Sequence, residues 1–187
     1  MSATTTAAPA TTTTWTIDPV HSNAEFRVRH LMISHVRGQF TGVTGKLTYD
    51  STDIPKSRVE ASIDVATIDT RDSQRDTHLK SPDFFDAEKF PTLTFSSSRV
   101  TRRADGHLIV AGPLSIHGVT REVEFTVEGP TPPVKDPWGN TRVGVSASTK
   151  IDRREFGLTF NAPMETGGVM VGEEVHITLE LEFVQAA

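Results

Sequence analysis

Apolar and polar residues alternate along most of the chain from Trp15 onward. Ala24, Phe26, Val28 and His30 interleave with Asn23, Glu25, Arg27 and Arg29. Val59, Ala61, Ile63 and Val65 interleave with Arg58, Glu60, Ser62 and Asp64. Leu108, Val110, Gly112, Leu114 and Ile116 form another row, and Val123, Phe125 and Val127 stand among Glu122, Glu124 and Glu128. The cleanest set is Val175, Ile177, Leu179, Leu181 and Phe183 against Glu174, His176, Thr178, Glu180 and Glu182. A repeat of two places successive side chains on opposite faces, so each stretch predicts a strand with one wet and one dry face. That pattern belongs to antiparallel sheet.

Turn chemistry links the strands in sequence. Asp105-Gly106 separates Leu93–Val100 from Leu108–Ile116, and His117-Gly118 leads into Val119–Val127; both dipeptides predict hairpins. Between Gln39 and Tyr49 the alternation slips at Gly42 and Gly45, which predicts a bulge bending one long strand. Residues 129–140 (GPTPPVKDPWGN) carry four prolines and predict a loop. Two segments lie outside the pattern. Asp72–Lys80 is polar and helix-compatible and runs into Phe84, Phe85 and Phe90; Arg153–Gly172 carries Phe156, Phe160 and Met164 among glycines. About eight strands at this spacing predict an all-β fold, an antiparallel barrel or a two-sheet sandwich, with one or two short helices near a barrel mouth.

Length and composition narrow the picture. The 187 residues suit one barrel over 15–187 preceded by a disordered Thr/Ala/Pro tail over 1–14. A net charge of −5 argues against a nucleic-acid partner. No stretch approaches the about 20 apolar residues of a membrane-spanning helix. Cysteine is absent, so disulfides and thiolate metal sites are excluded. The first residues form no secretory signal, so the expected address is the cytoplasm.

An eight-stranded barrel is either filled by its own side chains or holds one ligand. Ala24, Ala61, Gly112 and Ala147 are small, and His30, Ser97 and Thr149 polar, at positions in the dry phase. A filled barrel needs larger residues there to reach interior density, so a cavity is expected; relief of crowding at bent strands is the plainer account of each residue singly. Each buried CH₂ contributes about 0.8 kcal/mol, against an association cost of roughly 4–15 kcal/mol. The guest is therefore expected to be long, about twenty carbons or more.

Chemistry is sparse. The seven histidines have no metal-ligand spacing, and Ser22 beside His21 lacks the nucleophile elbow of a hydrolase. His30, in the dry phase, and Arg75 and His78, on the helix, are candidates for the polar end of a guest. Equally, Arg75 and His78 can stitch the helix to the barrel. An enzyme acting on a lipid head group around His30 and a filled barrel presenting Trp138 from the proline-rich loop remain as alternatives.

Several of these residues form motifs. Residues 15–22 (WTIDPVHS), followed by Phe26, Val28, His30 and 36–40 (VRGQF), resemble the opening of the YceI-like polyisoprenoid-binding family. Residues 75–79 (RDTHL), 83–86 (DFFD) and 90–91 (FP) resemble its central signature, as do 112–120 (GPLSIHGVT), 154–157 (REFG) and 171–175 (VGEEV) later in the chain. The resemblance implies an extended, lipocalin-like antiparallel barrel whose tube holds isoprenoid quinones, polyprenyl chains or long fatty-acid derivatives. It implies a carrier without catalysis, needing no cofactor or metal, and relatives that form homodimers, many of them exported. The expected pocket wall comprises Phe26, Val28, Phe40, Phe84, Phe85, Phe95, Leu114, Phe125 and Phe156.

Overall fold

The computed structural model describes residues 12–163 and 169–186. Its strands are β1 (Thr12–Ile17), β2 (Asn23–His30), β3 (Ser34–Phe40), β4 (Val43–Asp50), β5 (Arg58–Asp64) and β6 (Ile68–Asp69). The helix α1 (Ser73–Lys80) follows, then β7 (Thr92–Ser96), β8 (Arg99–Arg102), β9 (Leu108–Ile116) and β10 (Val119–Glu128). The chain finishes with β11 (Val134–Lys135), β12 (Thr141–Asp152) and β13 (Val171–Gln185).

Eight of these strands close on themselves in the order β12, β10, β9, β7, β5, β4, β1, β13 and back to β12, every pairing antiparallel. The expected barrel is what forms. Its wall is extended because β13, fifteen residues long, takes two partners in turn on one edge. Phe183–Gln185 pair with β1, whereas Val171–Glu180 pair with β2, which carries β3 and β6 outward. α1 is the single α-helix among the described residues. Its first turn is capped by Asp72, whose carboxylate accepts from the amides of Gln74 and Arg75.

Several local expectations are corrected. Thr12, Thr13 and Thr14 belong to β1, opposite Asp50, Tyr49 and Thr48, not to a tail. Threonine is β-branched and suits a pleated surface wherever a partner strand is available; residues 1–11 lie outside the described residues. The slip between Gln39 and Tyr49 is a break into β3 and β4 at Thr41-Gly42, not a bulge in one strand. The proline-rich loop contains the short β11. The stretch Leu93–Val100 is likewise two strands, β7 and β8, which lie end to end along β9 and break at Ser97-Ser98. Gly112 faces the end of β7: a Cβ there would lie 2.0 Å from the Ser96 carbonyl oxygen. Its small size serves that close approach and leaves no room for a guest.

Arg142 on β12 ties down a cluster away from α1. Its guanidinium donates to Asp18 at 2.6 Å, to Asp136 at 2.7 Å and to Glu182. Asp18, His21 and Glu182 converge as metal ligands would, but Arg142 already occupies both carboxylates with hydrogen bonds. Hydrogen bonds from Arg142 and then His21 hold the Asp18 carboxyl down to about 2. Burial works most strongly against the Asp136 carboxylate, yet hydrogen bonds from Asn140 and Arg142 outweigh it and leave it well below the usual range. A depressed carboxylate contributes stability that is complete above its ordinary value and lost as pH falls through the folded one. For Asp18 that window runs from 3.8 down to about 2. The urea midpoint of the wild type is expected to fall across it, and that of Arg142→Met to start lower and fall less. Equal slopes in the two proteins would refute the assignment.

Candidate functional site

Ala24, Phe26 and Val28 on β2, Val145, Ala147 and Ile151 on β12, and Ile177, Leu179, Leu181 and Phe183 on β13 point into the barrel because period two aims them there. With side chains from β3 to β5, β7, β9 and β10, they enclose an apolar cavity of about 250 Å³. Ala24, Ala61 and Ala147 line it, as their small size suggested; Gly112, Ser97 and Thr149 do not. Ser97 instead accepts from the amide of Val59 at 2.9 Å, and Thr149 donates to the Glu124 carbonyl at 2.8 Å.

Phenylalanines pass through this space in contact with one another. The rings of Phe26 and Phe40 lie 5.7 Å apart, those of Phe40 and Phe85 5.8 Å apart edge to face, and those of Phe95 and Phe125 5.1 Å apart edge to face. Phe84 turns its ring against Phe160 at 5.0 Å, closing the lumen beside α1. Of the twelve residues expected at the site, Phe26, Val28, Phe40, Phe84, Phe85, Phe95, Leu114 and Phe125 line the cavity.

The other four do not. Phe156 is 0% exposed in a short 3₁₀ turn, Arg153–Phe156, and packs in the surrounding core. His30 ends β2 opposite Ser34 and Val171, half exposed, because the strand stops before its phase carries the ring inward. Arg75 points back along its own segment and donates to the hydroxyl and carbonyl of Thr70, each at 2.8 Å. His78 bonds Asp83 at 2.9 Å and sets its ring edge to face against Phe84 and Phe160. Arg75 thus braces α1 to the turn before it, and His78 packs the helix against Phe84 and Phe160.

The polar group at the lumen is one the sequence reading passed over. Arg153 lines the cavity and is 4% exposed. It continues the inward phase of Val143, Val145, Ala147 and Ile151, so an arginine on the dry side of β12 was the available signal. Its need comes from β13, where the five residues Val171–Val175 oppose only the three from Val28 to His30. Such a bulge takes backbone groups out of the ladder. Arg153 donates Nε to the Gly172 carbonyl at 2.8 Å and Nη2 to that of Val171 at 3.2 Å. Nη1 serves Leu158 and, at 2.9 Å, Phe160. Its acceptors are all neutral carbonyls, and burial pushes its pKa down against the pull of Asp152 and Glu173.

No two titratable side chains of the lining hydrogen-bond to each other among the described residues. This is the anatomy of a pocket for an apolar molecule: dry walls, movable aromatic rings and cations, Arg58 and Arg153, already bound to backbone carbonyls. Among the described residues no helix is long and apolar enough to cross a membrane.

Comparison with known proteins agrees with this architecture. A UPF0312 protein of Staphylococcus aureus is 37% identical over 174 residues, 91% of this chain and 97% of its own. The crystal structure of Burkholderia cenocepacia BcnA superposes with a TM-score of 0.74 at 23% identity, covering 89% of this chain and 98% of that one. A polyisoprenoid-binding domain from Saccharophagus degradans, implicated in plant cell wall breakdown, reaches 0.66 at 12% identity, over 92% and 98%. At these identities the two structures establish the shared fold. The model of the YceI-like domain matches residues 15–183, and the chain belongs to that family.

Proposed function

We propose that the barrel binds and carries, or sequesters, a long-chain lipid of the isoprenoid type, without catalysis. The observation that carries this reading is a predominantly apolar lumen lined by Phe26, Phe40, Phe85, Phe95 and Phe125 with three alanines between them. A guest there gains only by burying hydrocarbon, so length decides affinity. The family membership and the polyisoprenoid-binding domain among the related folds support an isoprenoid. Edge-to-face rings can turn aside as a chain threads between them, at little cost in rotamer energy.

Native mass spectrometry tests it. The purified protein, incubated with a polyprenyl lipid of about twenty carbons, is expected to show a one-to-one adduct, and the ten-carbon analogue much less. A single unliganded species under both conditions would sink the proposal.

A further inference from the structure

The turn between β2 and β3 has an unusual composition. His30 is followed by Leu31, Met32 and Ile33 before Ser34, and Met32 and Ile33 are 50% and 80% exposed. Leu31 and Met32 hold φ at +50° and +63°, a left-handed region unfavourable for a residue with a side chain. Asn-Gly would make such a turn without strain. Three large apolar residues are therefore not there for the sake of the turn.

Below this tip the outer face of the sheet is cationic. Arg37 on β3 pairs with Arg27 on β2, Arg27 with His176 on β13, and His176 with Lys150 on β12. Four basic side chains thus stand side by side on four adjacent strands, about 4.8 Å from one to the next. Arg29 and His35 form a second rung nearer the tip. Like charges directly opposite one another destabilise a sheet. Within the rung Glu174 pairs with Lys150 and His176, and Arg27 lies 3.2 Å from His176 Nδ1, while Glu173 and Asp152 are committed to Arg154. None of these carboxylates pairs with Arg27, Arg29 or Arg37 among the described residues. His35 feels the crowding, its charged form disfavoured by burial and then by Arg29, Arg27 and Arg37. All this occurs in a chain of net charge −5.

The tip also borders the lumen. Val28 and Val171 line the cavity, and Val171 pairs with His30, the residue before the apolar turn. An apolar tip with a basic collar is the design of a segment that inserts at the interface of an anionic bilayer. We propose that Met32 and Ile33 enter the surface of an anionic membrane while Arg27, Arg29 and Arg37 meet its headgroups, setting the lumen mouth against the lipids it exchanges. This deepens the lipid-binding reading of the lumen and rests on it.

Co-sedimentation of the full chain with vesicles tests the docking. Binding is expected to vesicles of mixed phosphatidylcholine and phosphatidylglycerol, to weaken steeply with added salt, and to be far weaker to phosphatidylcholine alone. Each arginine replaced by glutamine is expected to lower the partition about fivefold, so R27Q/R29Q/R37Q falls about 100-fold. M32S/I33S is expected to lose about tenfold or more. All five positions are at the surface, so these variants should keep the wild-type circular dichroism and melting temperature. Delivery of a fluorescent polyprenyl lipid from ethanol, without vesicles, separates the two proposals. If docking alone is right, the variants take up that lipid normally and extract it poorly from vesicles; if the wild type takes up none from ethanol, the lumen reading fails instead. No binding to either vesicle, or equal binding to both, overturns the docking. So does a dimer in light scattering that M32S/I33S splits, because the tip then packs on a second copy.

Discussion

Replacing Arg153 with alanine is expected to lower the melting temperature by about 10 °C. The guanidinium donates to four carbonyls, those of Leu158, Phe160, Val171 and Gly172. Alanine leaves these acceptors buried with their donors gone, and each unmet group costs about 1–3 kcal/mol. Partial compensation by Asn161, which still donates to Val171 at 2.7 Å, and by entering water leaves a net loss of about 3–4 kcal/mol. In a chain of this size each kcal/mol moves the melting temperature by about 2–4 °C. Lysine keeps the charge but cannot reach four acceptors with one ammonium, so Arg153→Lys is expected to recover less than half of the loss. Thermal melts of the three proteins decide it: a loss under about 3 °C for the alanine variant would mean that the bulge in β13 is held by other contacts.

Filling the lumen is expected to affect binding as strongly as Arg153→Ala affects stability. Ala147 lies between Val127 on β10 and Leu179 on β13, and all three line the cavity. A phenylalanine there places a ring where a guest chain would run. Overpacking costs about 1–3 kcal/mol of stability, so the fold should persist while uptake of a polyprenyl lipid drops at least tenfold. Arg75→Gln, whose contacts are with Thr70 outside the lumen, is the matched control and should leave affinity within about twofold. Unchanged uptake by Ala147→Phe, together with a wild-type melting curve, would show that the guest does not lie in this cavity.

What the sequence disclosed depended on how local each feature is. β10 and β13 read directly from alternation, because a strand with one dry face imprints it at every second residue. The eight lumen residues named in advance were inward members of such strands or of the phenylalanine pair after α1. The interruptions were less legible. The break at Ser97-Ser98 is fitted to Gly112 on another strand, and the pairing of Thr12–Thr14 requires β4; nothing within either segment records its partner. The four misplaced candidates share a cause. His30, Arg75, His78 and Phe156 sit at the ends of elements or in short helical turns, where two-residue periodicity no longer says which way a side chain points. Arg153 shows the opposite failure: its phase was visible, but an arginine in a dry row looked like the end of a strand rather than the answer to a bulge in β13.

The double pairing of β13 has a consequence for how the protein comes into being. Its Phe183–Gln185 segment joins β1, Glu174–Val184 join β12, and its first part joins β2. Contacts so distant in sequence form slowly and late. During synthesis the strands from β1 to β12 emerge with the seam still open and the apolar faces of β1, β2 and β12 unpartnered. The cavity cannot exist as an enclosure until the last strand slots between them. A molecule inside it is therefore taken up by the finished barrel or trapped at the moment of closure, and cannot serve earlier as a scaffold. Until then the half-built barrel is exposed to aggregation through those open edges.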